Sequence, residues 1–291
     1  FWSDPLHFCC KVNWFYDLYT IIISDMGIKK LKALSKKELG SFLLEKQLLF
    51  ETREFIPDDP ISIPHLFTNK ADIEIAGFLA ATIAWGKRKS ILKNANGLME
   101  RMDYSPFDFV LNFEKADEKV FDGFVHRTFQ PEDAVCFMRS LQRIIRDYGS
   151  LESVFASEWE ASGRPNNLKD VISKFHTIFF NQPHPDRSRK HVANPAKGSA
   201  AKRLNMYLRW MVRSSDRGVD LGIWDQIPTR VLSIPLDVHT SNVGRALGLL
   251  NRTQNDWKSV EELDASLRSF DSIDPVKFDF ALFGLGAIEG F

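Results

Sequence analysis

The chain has 291 residues, 38 of them basic and 38 acidic, so its net charge at pH 7 is zero and bulk charge argues for neither a nucleic acid nor a membrane partner. With 44% hydrophobic and 26% charged residues it has the apolar material for one large domain or two modest lobes, which excludes wholesale disorder. Its three cysteines, Cys9, Cys10 and Cys136, exclude a disulfide framework and any four-cysteine zinc or iron–sulfur site, and suit a reducing, cytoplasmic setting.

Residues 1–25 are aromatic-rich and aperiodic, and only Tyr19–Ile23 alternates like a strand. The apolar run from Trp14 to Ser24 is broken by Asp17 and is shorter than the roughly 20 residues a span needs. No basic segment precedes it, so it does not read as a signal peptide. Met26 is the expected natural start, with 1–25 an upstream extension, and no membrane partner is expected.

Helical signals dominate the rest of the chain. Ser35 and Glu38 have capping-box spacing ahead of Leu39, Phe42, Leu43 and Leu48, which predicts a helix. Three prolines in 55–66 mark a connector, closing an N-terminal section over 26–70. The apolar pattern over 71–102 breaks at Trp85-Gly86, predicting two helices rather than one. Pro131 at a first-turn position and Gly149 beyond Ile145 bracket another. Shorter helices are expected at 151–159 and 168–180, a polar loop at 181–197, and helices again at 199–213, 238–250, 256–270 and 275–285. An all-α, two-lobed fold is the expectation, with 71–291 its main helical domain.

Charge balance fails locally. Between Arg187 and Arg213 stand eight basic residues (Arg187, Arg189, Lys190, Lys197, Lys202, Arg203, Arg209 and Arg213) and no acid. Such a cluster suits phosphate, because each neutralised phosphate releases a counterion; a merely solvated basic face is the plainer reading. At 100° per residue, Lys202, Asn205, Arg209 and Arg213 form a polar stripe, with Leu204, Tyr207, Leu208 and Met211 opposite and expected to face the core. The preceding Asn194–Ala200 segment, with Lys197, Gly198 and Ser199, is a hairpin that would offer backbone N–H groups at the helix start. Further on, Asp237 in Pro235-Leu236-Asp237-Val238-His239 stands at an N-cap position. There its carboxylate is held ionised and aimed. His184, His191 and His239 lack nearby thiolates and zinc spacing, so neither a metal nor another cofactor is expected.

These two elements, in this order, resemble the helix-hairpin-helix DNA glycosylase superfamily, which contains endonuclease III and 8-oxoguanine DNA glycosylase. Gly198–Asn205 resembles its hairpin and the helix that carries a catalytic lysine, here Lys202. Pro235–His239 resembles the segment that carries its catalytic aspartate, here Asp237. The likeness extends over roughly 70–290, and the Lys197–Met211 run with the Phe283-Gly284-Leu285-Gly286 ending resembles a bacterial family without an assigned function. Ala200 replaces the hairpin's second glycine, Ser214–Arg230 lengthens the gap before Asp237, and no iron–sulfur ligands follow.

The resemblance implies a base-excision glycosylase, or glycosylase-lyase, acting on double-stranded DNA with a damaged base. Lys202, its pKa depressed by neighbouring cations, would attack the sugar, while Asp237 steadies the charge that develops on it. Arg187, Arg189, Lys190, Lys197, Gly198, Ser199, Arg203 and Arg209 would hold the nucleic acid. Trp85, Trp210 and Phe280 are aromatic candidates for a flipped base, though core packing is the better reading of any one of them. A non-catalytic nucleic-acid binder and a helical scaffold or small-molecule enzyme are the competing readings. The catalytic one requires the Lys202 amine and the Asp237 carboxylate to meet in one groove.

Overall fold

The structure, a computed structural model, describes residues 34–213 and 216–291. The expected extension over 1–25, with its strand-like Tyr19–Ile23, lies outside the described residues. Among those described the chain is all-α, with no strand and two isolated bridges, His126–Phe129 and Ser199–Asp256.

The local signals act where they stand. The Ser35 hydroxyl accepts from Glu38 N–H at 3.3 Å and the Glu38 carboxylate accepts from Ser35 N–H at 2.8 Å, opening α1 (Lys36–Phe50) with a reciprocal cap. The proline-rich connector folds into three short 3₁₀ turns, Arg53–Asp58, Pro60–Ser62 and Pro64–Leu66. Asn69 caps α2 (Lys70–Thr82), in which every residue from Ile73 to Thr82 is buried. Gly86, at φ +108°, makes the break before α3 (Arg88–Arg101). The short α4 (Pro106–Leu111) and the 3₁₀ turn Lys115–Phe121 were not expected; six residues are too few to show a helical period. Pro131 then starts α5 (Pro131–Tyr148), which Gly149 ends at φ +85°. The remaining helices are α6 (Leu151–Ala161), α7 (Lys169–Phe179), α8 (Lys202–Val212), α9 (Val238–Ala246), α10 (Trp257–Arg268) and α11 (Phe278–Ala287). None of the described helices is long and apolar enough to cross a membrane.

The buried apolar side chains form one continuous cluster from Leu39 to Leu285. At its centre α2 packs on α8, and Phe78 meets the rings of Phe137, Phe175, Phe179 and Tyr207. Burying each such ring contributes roughly 1.5–3 kcal/mol. The lengthened segment before Asp237 is not a surface addition. Val219, Trp224 and Ile227 are buried, Leu221 and Trp224 donate backbone bonds to Trp210 and Met211 carbonyls, and Trp224 Nε1 donates to Glu74 at 2.8 Å.

Two glycines set the position of α11. A Cβ at Gly284 would overlap the Phe50 ring on α1, and one at Gly286 would lie 2.9 Å from His239 Cβ on α9. Two residues apart on a helix, they face roughly opposite ways, so α11 is clasped between α1 and α9 at closest approach. That clasp brings the starts of α9 and α11 to the start of α8.

The polar stripe of α8 does not face water. Asn205, Arg209 and Arg213 are as buried as Leu204, Tyr207, Leu208 and Met211, so the helix is enclosed all round from Leu204 onward, and only Lys202 and Arg203 at its start are partly exposed. Arg209 Nε donates to Asp220 at 3.2 Å and its Nη1 to Asp279. Arg213 pairs with Glu51, Asp220 at 3.0 Å and Asp274 at 2.8 Å. Charges are tolerated inside a protein only with such partners, and here Asp220 comes from the segment just after α8 while Glu51, Asp274 and Asp279 come from far away in sequence.

Candidate functional site

Lys202 and Asp237 line one cleft, together with Asp59, Arg209 and Asp279. Apolar side chains complete its walls, chiefly Phe55, Met206, Phe280 and Phe283. The free volume is about 30 Å³, room for about two waters.

Lys202 and the three acids each stand at or beside a helix or turn start, and Arg209 stands in the last turn of α8. Lys202 is the first residue of α8, half-buried, with its Nζ 3.2 Å from Met206 Sδ. Asp237 is the N-cap of α9 and accepts from Thr240 N–H at 2.9 Å. The Thr240 hydroxyl donates in turn to Asp279 Oδ1 at 3.4 Å, so one residue of α9 ties both acids together. Burial raises the Asp279 carboxyl to about 6, against the opposing pull of Arg209, and Asp237 adds to the rise. Asp59 caps the Pro60–Ser62 turn through Ile61 N–H at 3.0 Å. It is 8% exposed, and burial pushes its pKa upward. The cleft thus carries three carboxylates against Lys202 and Arg209, instead of the purely cationic surroundings expected for Lys202.

The sequence-predicted basic residues divide by whether an acid already holds them. Arg187 pairs with Glu132 at 2.8 Å and Asp133 at 3.2 Å, and Arg209 is buried in its own ion network. Arg189 lies 3.9 Å from Asp186 and over the Phe180 ring. Lys190 and Lys197 are exposed, with no ion pair among the described residues. Arg203 stacks over Trp85 at 4.8 Å, donates to the Thr82 and Lys190 carbonyls, and is pushed down to about 10 by burial.

In the hairpin region Gly198 takes a left-handed conformation at φ +87°. The N–H groups of Ala196, Lys197 and Gly198 are spent within their own turn and on Ser173, and Ser199 bridges to Asp256. Ala201, at φ +48°, precedes α8 without a side-chain cap. Of the aromatic candidates, Phe280 lines the cleft, Trp210 is fully buried in the core, and Trp85 lies under Arg203.

Sequence reasoning missed two parts of this region. One is the acid set completed by Asp59 and Asp279. The other is the run Lys87, Arg88 and Lys89, exposed at the start of α3 without ion pairs among the described residues. Arg88 lies 5.7 Å over the Phe283 ring at the cleft, and exposed Arg127 reaches over Gly86 beside it. The signal was legible: three cations in succession directly after a helix break.

The family model described as "Protein of unknown function (DUF2400)" matches residues 59–288, a span that contains all five charged residues of the cleft. No curated protein and no solved structure matches the chain.

Proposed function

Since the chain belongs to the DUF2400 family of proteins of unknown function, its activity has to be read from its own residues, and we propose a lysine-dependent DNA glycosylase of helix-hairpin-helix type. The observation that carries this reading is the convergence of Lys202 and Asp237, each at the start of its own helix, on one cleft. Breaking an N-glycosidic bond leaves positive charge on the sugar. A carboxylate aimed by a helix start steadies that charge, and an amine beside it traps the anomeric carbon as a Schiff base. Asp237 is oriented by Thr240 N–H and shares the cleft with Lys202 without an ion pair to it among the described residues; on this reading it takes the proton that Lys202 must lose before attacking.

Double-stranded DNA bearing a damaged base is the proposed substrate. The cations free to meet its phosphates are Lys87, Arg88, Lys89, Arg127, Lys190 and Lys197, with Arg189 only loosely held. Arg187 and Arg209 serve the fold first. Loading a flipped base requires Phe55 and Phe283, half-buried beside the cleft, to turn aside.

Borohydride trapping tests the reading. The chain is incubated with duplexes carrying an abasic site, 8-oxoguanine, uracil, hypoxanthine, thymine glycol or 7-methylguanine. A covalent adduct that disappears in Lys202→Gln is expected; no adduct with any of them refutes the proposal. The narrowness of the cleft favours a second reading, a nucleic-acid binder without catalysis. That reading is distinguished by salt-dependent duplex binding unchanged in Lys202→Gln, with no product formed.

A further inference from the structure

We propose that Asp59 is the proton donor of this cleft, handing its proton to the departing base and so selecting bases that are uncharged in the nucleic acid. The inference rests on the glycosylase reading and adds to it a third reacting group and a substrate class.

The three carboxylates of the cleft differ in what holds them. Both oxygens of Asp279 are engaged, one by Thr240 and the other by Arg209. Asp237 is tied to the start of α9. Asp59, like Asp237, is held by a single backbone N–H, that of Ile61, and its other oxygen accepts no hydrogen bond from any described residue; what separates the two is burial, Asp237 being only half-buried. No cation lies within ion-pair distance of it among those residues. It is nonetheless more than nine-tenths buried, and it opens on the space shared with Lys202 and Asp237. Burial favours the protonated form of a carboxyl group, and at Asp59 it outweighs the Ile61 N–H bond and the opposing pull of Arg209, Lys202 and Arg88. Protonated, it has an O–H to give and, among the described residues, no hydrogen-bond partner to give it to.

The step balances. The bond from C1′ to the base nitrogen breaks, and its electron pair leaves with the base. The Asp59 proton moves to a nitrogen or oxygen of the base, which departs neutral, and Asp59 becomes a carboxylate. The neutral Lys202 amine forms the new bond to C1′, and its surplus proton passes to Asp237; the C1′–O4′ bond then breaks, O4′ taking that proton back from Asp237, to leave the protonated Schiff base that borohydride reduces. A base that is cationic before cleavage, such as 7-methylguanine, already leaves neutral and needs no donor. An abasic sugar has no base to protonate at all.

The experiment compares wild type, Asp59→Asn and Asp59→Glu on three duplexes: an abasic site, 7-methylguanine, and whichever neutral lesion of the panel is released fastest. Asparagine keeps an acceptor for Ile61 N–H, and abasic-site trapping reports an intact Lys202. We expect Asp59→Asn to slow release of the neutral base by about 10²-fold or more, the usual weight of a general acid. Abasic-site trapping and any 7-methylguanine release should stay within about threefold. Wild-type release should fall as pH rises, a limb that vanishes in Asp59→Asn and returns in part in Asp59→Glu. Equal losses on all three substrates, or unchanged release of the neutral base, overturn the proposal. Wild-type trapping confined to the abasic site overturns the donor role but leaves Lys202 chemistry standing. No trapping anywhere overturns the glycosylase reading itself.

Discussion

Glu74 offers a test of the interior that needs no substrate. It is 3% exposed on α2 and accepts from Leu151 N–H at 3.0 Å and from Trp224 Nε1 at 2.8 Å. Burial raises its pKa from 4.5 to about 7, outweighing those two donors and Lys70, while Glu152 adds to the rise. The folded state therefore holds a proton between pH 4.5 and 7 that the unfolded chain releases. Stability from this group is fully present below 4.5 and is lost as pH rises toward 7. A shift of that size corresponds to roughly 3 kcal/mol. Other groups titrate in the same range with opposite sign; His176, pushed down to about 4 by burial, destabilises the fold as pH falls below 6.5. The contribution of Glu74 is accordingly read as a difference between wild type and Glu74→Gln. Glutamine turns its NH₂ toward one of the two donors, a pH-independent cost of about 1–3 kcal/mol. Urea unfolding of both proteins at half-unit steps from pH 4.5 to 8 should show Glu74→Gln gaining roughly 3 kcal/mol on wild type across that range. A flat difference, or one that slopes the other way, refutes the picture of a proton-holding glutamate between α2, α6 and Trp224.

The geometry sets three further outcomes. Asp237→Asn keeps the cap on α9 and should change stability by under about 0.5 kcal/mol, whereas Asp237→Ala should cost about 1 kcal/mol; both should abolish adduct formation, as thermal melts and trapping assays would show. Gly284→Ala drives a methyl group into Phe50 and should cost about 1–3 kcal/mol, read as a lowered urea midpoint with unchanged slope. Arg88→Ala should reduce the log–log salt slope of duplex binding by about 0.9, while Arg187→Gln, already held by Glu132 and Asp133, should leave it within error.

The helices were legible in the sequence wherever the signal was local. Ser35 with Glu38, Gly86, Pro131, Gly149 and Asp237 each act on the backbone within a few residues of themselves, and each marks an element boundary in the structure. The environment of α8 was not legible. A stripe of Lys202, Asn205, Arg209 and Arg213 looks the same whether it meets water or buried carboxylates. What decides is Glu51, Asp220, Asp274 and Asp279, and spacing along one helix cannot announce partners that arrive from three other segments. Asp59 was hidden for a similar reason. In Asp58-Asp59-Pro60 it reads as ordinary turn chemistry, and only the fold carries that turn to the first residue of α8.

The clasp on α11 divides the cleft into parts that can and cannot move. With glycine contacts on both flanks there is no slack for α11 to slide, and Thr240 couples its Asp279 to the Asp237 of α9. The two acids thus share a single rigid-body degree of freedom. On the glycosylase reading, the backbone movement that admits a nucleotide falls to the proline-jointed turns bearing Phe55 and Asp59, with the Phe283 ring turning on its own side-chain bonds. The distance from Asp59 to Lys202 is then the coordinate that varies, and the pairing of Asp237 with Asp279 the fixed frame against which it is measured.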